Sequence, residues 1–200
     1  MTAIATNPPT ALPAEPLEMK WTREEFYRLG DLGLFRGKRA ELIEGTIMVL
    51  SPQNWPHSST VDRVAETLRR TLSPGFWVRS QAPLSLNQTT EPEPDVSVVP
   101  GSRDDYRDHP TSAVLVVEVS DTTLAYDRRQ KASLYARAGI EDYWIVNLVD
   151  RRLEIRRSPI ADPDQEFGHG YASVTEVQPP ATVTPLIAAH VSLAVADLLG

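Results

Sequence analysis

The chain has 200 residues, and 41% apolar against 24% charged residues is the composition of one ordinary globular domain rather than a fibrous or disordered chain. With no cysteine, a disulfide framework, a thiolate zinc site, an iron–sulfur cluster and a cysteine nucleophile are excluded; a reducing, cytoplasmic setting is expected. A net charge of −7 argues against coating nucleic acid by bulk charge, and the acid is uneven: residues 1–90 carry 10 basic and 9 acidic groups, residues 91–200 carry 10 and 18.

In chain order, residues 1–19 hold Pro8, Pro9, Pro13 and Pro16 and neither a basic nor a continuous apolar stretch. They are expected to form a disordered or extended leader to a single domain over 20–200. Trp21 to Gly30 predicts a helix, with Thr22 and Glu25 spaced as a capping box. Residues 40–50, AELIEGTIMVL, read as strand on both sides of Gly45, which marks a bulge or a tight hairpin. Val61, Val64, Ala65, Leu68 and Leu72 form the stripe of a helix from Ser58 to Leu72. Short strands follow at Phe76 to Ser80, Pro83 to Asn87 and Pro94 to Pro100. Ala113 to Val119, AVLVVEV, is apolar on both faces and so predicts a central, doubly covered strand. Its apolar run, TSAVLVV, is the longest uncharged one and is far too short to span a bilayer.

A helix is expected from Asp127 to Ala138, capped by Asp127, then a buried strand at Tyr143 to Leu148 and an alternating one at Arg152 to Arg157. Ser158 to Gly170 reads as a loop, Tyr171 to Val177 and Ala181 to Leu186 as weaker strands, and Val191 to Leu199 as a short helix. The order gives an α/β (α+β) fold with a mixed sheet flanked by helices. No glycine-rich phosphate loop is present.

The chemistry gathers mid-chain. Asp95 opens one short strand, and Glu118 lies inside the most apolar strand, where a carboxylate is costly unless it is paired or binds a metal. Lys131 follows thirteen residues later on the next helix. Taken singly, Glu118 at an exposed strand end and a solvated Lys131 are the plain alternatives. Together, two carboxylates at adjacent strand ends offer hard oxygen ligands to Mg²⁺ or Mn²⁺, and an ammonium beside them can stabilise developing negative charge. Phosphodiester hydrolysis uses such a set.

The segments AELIEGTIMVLSP, EPEPDVSVVP, AVLVVEVSDTTLAYDRRQKASLYARAGIEDYWIVN and RRLEIRR resemble the Uma-type restriction-endonuclease family of the PD-(D/E)xK nuclease superfamily, over about residues 22–157. The resemblance implies a restriction-endonuclease-like core: a central mixed sheet flanked by helices, with a divalent metal at its edge. Pro94-Asp95 matches the "PD", making Asp95 a metal ligand, and Glu118 matches the "(D/E)" as the second. The superfamily pattern wants lysine at the position of Ser120; the resemblance implies that it has migrated to Lys131. Glu41 matches the family's N-terminal acid, with Glu44 as its substitute, and the Val119 carbonyl is the further ligand expected.

His57 resembles a recurrent family position, so phosphate or water contact is open to it, as is a part in the N-terminal cap of the helix that follows. Asp127 could orient Lys131 as well as cap. Tyr135, Tyr143 and Trp144 read as core, and Gln130 as exposed. The function expected is a Mg²⁺-dependent DNA endonuclease, by analogy a homodimer, with no membrane partner. The alternatives are a catalytically silent nucleic-acid-binding or structural member of the fold, and an enzyme for another phosphodiester. The candidate DNA-facing cations are Arg36, Lys38 and Arg39, then Arg63, Arg69 and Arg70, then Arg128 and Arg129; each group can equally be a solvated face.

Overall fold

The computed structural model describes residues 17–72 and 74–200, so most of the expected leader lies outside the described residues. Helix α1 (Arg23–Asp31) starts on Thr22, whose hydroxyl accepts from the Glu25 N–H while the Glu25 carboxylate accepts from the Thr22 N–H, the expected capping box. Strands β1 (Arg39–Ile43) and β2 (Thr46–Leu50) form an antiparallel hairpin of their own. Its turn is the tight one of the two readings: Glu44 and Gly45 both have positive φ. At Gly45 a Cβ would lie 2.6 Å from the Lys20 side chain, so the position is closed to other residues on two counts.

The main sheet has six strands in the order β3-β4-β5-β6-β7-β8. These are β3 (Phe76–Ser80), β4 (Val96–Pro100), β5 (Leu115–Ser120), β6 (Asp142–Asn147), β7 (Arg152–Ala161) and β8 (His169–Val177). Only β5 and β6 pair in parallel, which makes the sheet mixed as expected. Helix α2 (Trp55–Leu72) and the C-terminal α5 (Val195–Leu199) cover one face, with Val64, Leu68 and Leu198 packed on Val117 and Trp144. The crossover from β5 to β6 covers the other, with Ala132 and Tyr135 on Val116 and Ile145. Every residue of β5 is buried, and alternation sends Val117 and Val119 towards α2 and Val116 and Glu118 towards the crossover.

Several elements depart from expectation. Pro83 to Asn87 is not a regular strand but an extended segment held by isolated backbone bonds, such as Leu84 N–H to the Pro92 carbonyl. The expected loop from Ser158 is strand as far as Ala161. Pro159 is tolerated there because β6 stops pairing at Arg157, so the missing N–H breaks no ladder bond on that side. The strand expected at Ala181 to Leu186 shrinks to β9 (Thr182–Val183), which pairs with β10 (Leu193–Ala194) ahead of α5. The helix expected from Asp127 starts earlier and is composite: α3 (Leu124–Tyr126), a π-helical turn (Asp127–Lys131) and α4 (Ala132–Arg137). Asp127 therefore sits inside it and does not cap it.

On β7, Glu154 is a buried carboxylate held by Arg128 (2.6 Å), Arg156 (3.2 Å) and the Asn147 amide (2.9 Å). Burial pushes its pKa up, but these hydrogen bonds and the arginine charges outweigh it and hold the carboxyl below the ordinary value. A carboxyl with a depressed folded pKa stabilises above its unfolded value, and that stabilisation is lost as pH falls through the folded one. Glu154→Gln is expected to cost about 1.5–3 kcal/mol at neutral pH. Its difference in Tm from wild type should shrink as pH drops below about 4.3. Thermal melts across that range check it; a pH-independent difference would rule out the charge as the cause.

Candidate active site

Asp95 precedes β4 and Glu118 lies on the adjacent β5, and the two are interlocked. The Asp95 N–H donates to Glu118 Oε2 (3.0 Å), and the Val119 N–H donates to Asp95 Oδ2 (2.9 Å). Both side chains are almost wholly buried. Gln53 (3.3 Å) and Gln81 (3.5 Å) donate to the other oxygen of Asp95, and His57 Nε2 lies 3.2 Å from Oδ2. Burial disfavours protonation of His57, but the Asp95 carboxylate outweighs it and its pKa is raised. Burial drives the Glu118 carboxyl up to about 8; the Lys131 ammonium pulls against this while the charges of Asp95 and Asp127 add to it.

Lys131 reaches the same point from the crossover helix. Its Nζ lies 2.7 Å from Glu41 Oε2 and 3.3 Å from Glu118 Oε1, and it too is buried. Burial alone would deprotonate it, yet the two carboxylates hold its pKa well above the ordinary lysine value. Glu41 arrives on β1 and also accepts from the Glu93 N–H (3.0 Å) and the Tyr126 hydroxyl (3.0 Å). Tyr135 donates to Glu118 Oε1 at 2.7 Å. The Lys131 Nζ stands 5.9 Å and 5.8 Å from the ring centres of Tyr126 and Tyr135.

The π turn explains how Tyr126 and Tyr135 flank one lysine. Residues five apart diverge on an α-helix, but the wider turn brings Tyr126 and Lys131 onto one side, with Tyr135 four residues on. Asp127 makes no ion pair with Lys131 and accepts instead from the Ser120 and Thr123 hydroxyls, both at 2.7 Å. Ser120, which stands where the superfamily pattern has lysine, thus tethers the helix to the end of β5. Burial pushes the Asp127 carboxyl up to about 6, the two hydroxyls opposing it.

The group opens into a cleft of about 430 Å³. Arg39 and Glu93 pair across one wall (3.2 Å), and Asn54 donates to Asp121 at 2.7 Å on another. Five carboxyl groups line the cleft against two permanent cations, Arg39 and Lys131, and a bound cation would offset the burial that pushes Glu118 and Asp127 up.

Of the expected residues, Asp95, Glu118, Glu41 and Lys131 meet here. His57 falls within the first turn of α2 rather than before the helix. Of its two expected parts it takes the one at the helix N-terminus, its N–H donating to Asn54 Oδ1 (3.0 Å), while its ring faces Asp95. Glu44 is elsewhere, bonded at the hairpin turn to Thr90 and Arg137. Among the expected DNA-facing cations, Arg128 is taken up by Glu154 and Arg39 lies inside the cleft. Sequence reasoning missed Tyr126, Gln53, Gln81 and Glu93, and read Tyr135 as core. For Tyr126 the one available signal was its spacing of five from Lys131, which means nothing until the π turn is known.

A family model named Uma2 and described as "Putative restriction endonuclease" matches residues 23–196. No curated protein matches the chain. Among solved structures, the chain is similar to one described as "a putative nuclease belonging to DUF820" from Anabaena variabilis ATCC 29413. The TM-score is 0.67 at 17% identity, over 89% of this chain and 97% of that one, a likeness of fold.

Proposed function

Because the chain belongs to the Uma2 family, whose description is "Putative restriction endonuclease", we propose that it is a Mg²⁺- or Mn²⁺-dependent DNA endonuclease acting in the Asp95–Glu118–Lys131 cleft. The observation that carries this reading is the convergence of two interlocked carboxylates and one ammonium from three elements in a cleft with surplus acid.

The donors suit a hard cation. Among the described residues no three His, Asp or Glu side chains form a ready-made metal cage. Mg²⁺ needs none, since it keeps several waters and is held by one or two carboxylates plus substrate phosphate. Asp95 and Glu118 would hold it, with the Val119 carbonyl on the same edge of β5 as the N–H donated to Asp95. When bound, the ion would polarise a phosphoryl oxygen and make a coordinated water more acidic.

The chain's own groups do the rest. Lys131, kept protonated by two carboxylates, is a donor and not a base; it can orient water and offset charge growing on the phosphate. Glu41 and Tyr126 aim Lys131, and Tyr135 fixes Glu118. Gln53, Gln81 and His57 hold Asp95. Cutting both strands of a duplex takes two such sites, which is the reason to propose a homodimer.

Incubation of the purified protein with supercoiled plasmid is the test. Nicked or linear product with Mg²⁺ or Mn²⁺, abolished by chelation, is expected. Intact DNA and RNA in both metals would overturn the reading in favour of a catalytically silent member of the fold.

A further inference from the structure

Among lysine and arginine side chains, Arg39 and Lys131 are the two that line the cleft, and they differ in what they can still reach. The Lys131 side chain is 5% exposed and shared by two carboxylates. The Arg39 side chain is 31% exposed. Its Nη2 lies 3.2 Å from Glu93 Oε1, its one ion pair among the described residues, while its guanidinium carries five N–H donors in a planar fork. Arg39 opens β1 two residues before Glu41, so alternation sends both side chains to the face of the hairpin on which Glu41 meets Lys131. Glu93 stands directly before Pro94-Asp95, and its N–H donates to Glu41 Oε2, the oxygen that also holds Lys131. The Arg39–Glu93 pair is thus mounted on the same frame as Asp95, Glu118 and Lys131, but open to the cleft.

A planar fork with spare donors fits two oxygens of a phosphodiester at once, which a buried ammonium cannot do. The bond to Glu93 is no obstacle, because a part-exposed ion pair is held weakly and its carboxylate can be exchanged for another anion. The acids of the cleft repel a polyanion, so a strand entering it needs a cation it can reach. We infer that Arg39 exchanges Glu93 for a backbone phosphate of the nucleic-acid strand lying in the cleft. Glu93 is then an internal competitor that keeps the guanidinium in position until the strand arrives.

This rests on the nuclease reading above, and the test keeps the two apart. Binding of a short fluorescein-labelled DNA duplex is followed by anisotropy over a range of salt concentrations, with Ca²⁺ in place of Mg²⁺. Arg39→Gln should weaken binding roughly 10- to 150-fold. It should also lower the slope of log K against log salt by about 0.9, the loss of one phosphate contact. Glu93→Gln should tighten binding about 2- to 5-fold. That gain should vanish in the double variant, whereas bulk charge would act equally with and without Arg39. Arg36→Gln removes the same charge from the exposed turn ahead of β1, outside the cleft lining, and should weaken binding less. The side chains are part-exposed or exposed, so the variants should fold, which melting checks; Arg39→Lys keeps the ion pair and should still lose part of the binding with the fork. Binding by Arg39→Gln equal to that of wild type or of Arg36→Gln, alongside metal-dependent cleavage by the wild type, would overturn the role of Arg39 alone. An equal gain from Glu93→Gln with and without Arg39 would overturn the exchange. A wild-type protein that binds no DNA and cleaves nothing would overturn both readings.

Discussion

Lys131→Met is expected to abolish metal-dependent cleavage and to lower stability by about 3–5 kcal/mol, the cost of leaving buried carboxylates without their cation. Lys131 is the ammonium shared by Glu41 and Glu118, and all three side chains are nearly inaccessible. Once it is gone, Glu41 keeps only the Tyr126 hydroxyl and the Glu93 N–H, and Glu118 only the Tyr135 hydroxyl and the Asp95 N–H. For a domain of this size the loss corresponds to a fall in Tm of about 6–20 °C. The lower end is favoured near neutral pH, because burial already pushes the Glu118 carboxyl up and Lys131 is what opposes it, so without the lysine Glu118 is held neutral rather than left as a bare charge. The companion Glu41→Gln removes one of the stranded charges, so Lys131→Met with Glu41→Gln should regain much of the stability and none of the activity. Thermal melts of the wild type, the two single variants and the double variant form a cycle whose coupling reads the pair directly. Strictly additive losses would show that the two side chains do not interact in the native state.

That pairing also marks where the sequence could be read and where it could not. The central position of β5 was legible because Ala113 to Val117 are apolar without a break, and Glu118 stood out against them. The capping box at Thr22 and the stripe of α2 were legible because each depends on spacing within one turn or one helix. Lys131 was legible as part of a set with Glu118, whereas Glu41 came only with the family resemblance: it lies 90 residues away in sequence, on a hairpin outside the main sheet. The hairpin is docked by a backbone exchange between Leu42 and Glu91, and no local pattern announces such a contact. The inward tyrosines failed for a different reason. Tyr135 has the spacing of a core residue and is one; only its hydroxyl belongs to the site. Tyr126 depends on the π turn, which no helical periodicity encodes. Pro159 misled because a proline weighs against a strand only where both edges must pair, and strand neighbours are not a local property.

Asp95→Asn is the substitution expected to separate chemistry from fold most sharply: a loss of cleavage of roughly 10³-fold or more with little change in Tm. The geometry permits the exchange. Oδ2 of Asp95 takes the Val119 N–H, so an asparagine would keep its oxygen on that side and turn its amide towards Gln53 and Gln81. Those two amides can rotate to present their own oxygens, and no donor is left facing a donor. The negative charge is lost, and with it half of the carboxylate pair proposed to hold the cation. Mg²⁺ should therefore raise the Tm of the wild type and not that of Asp95→Asn, since a ligand stabilises only the state that binds it. The two readouts constrain each other. Lost cleavage with an unchanged Tm and no Mg²⁺ response puts the defect at the metal. Lost cleavage with a collapsed Tm would instead mean that Asp95 serves the fold by bridging β4 and β5. An Asp95→Asn protein that still cut DNA at the wild-type rate would remove Asp95 from the reaction.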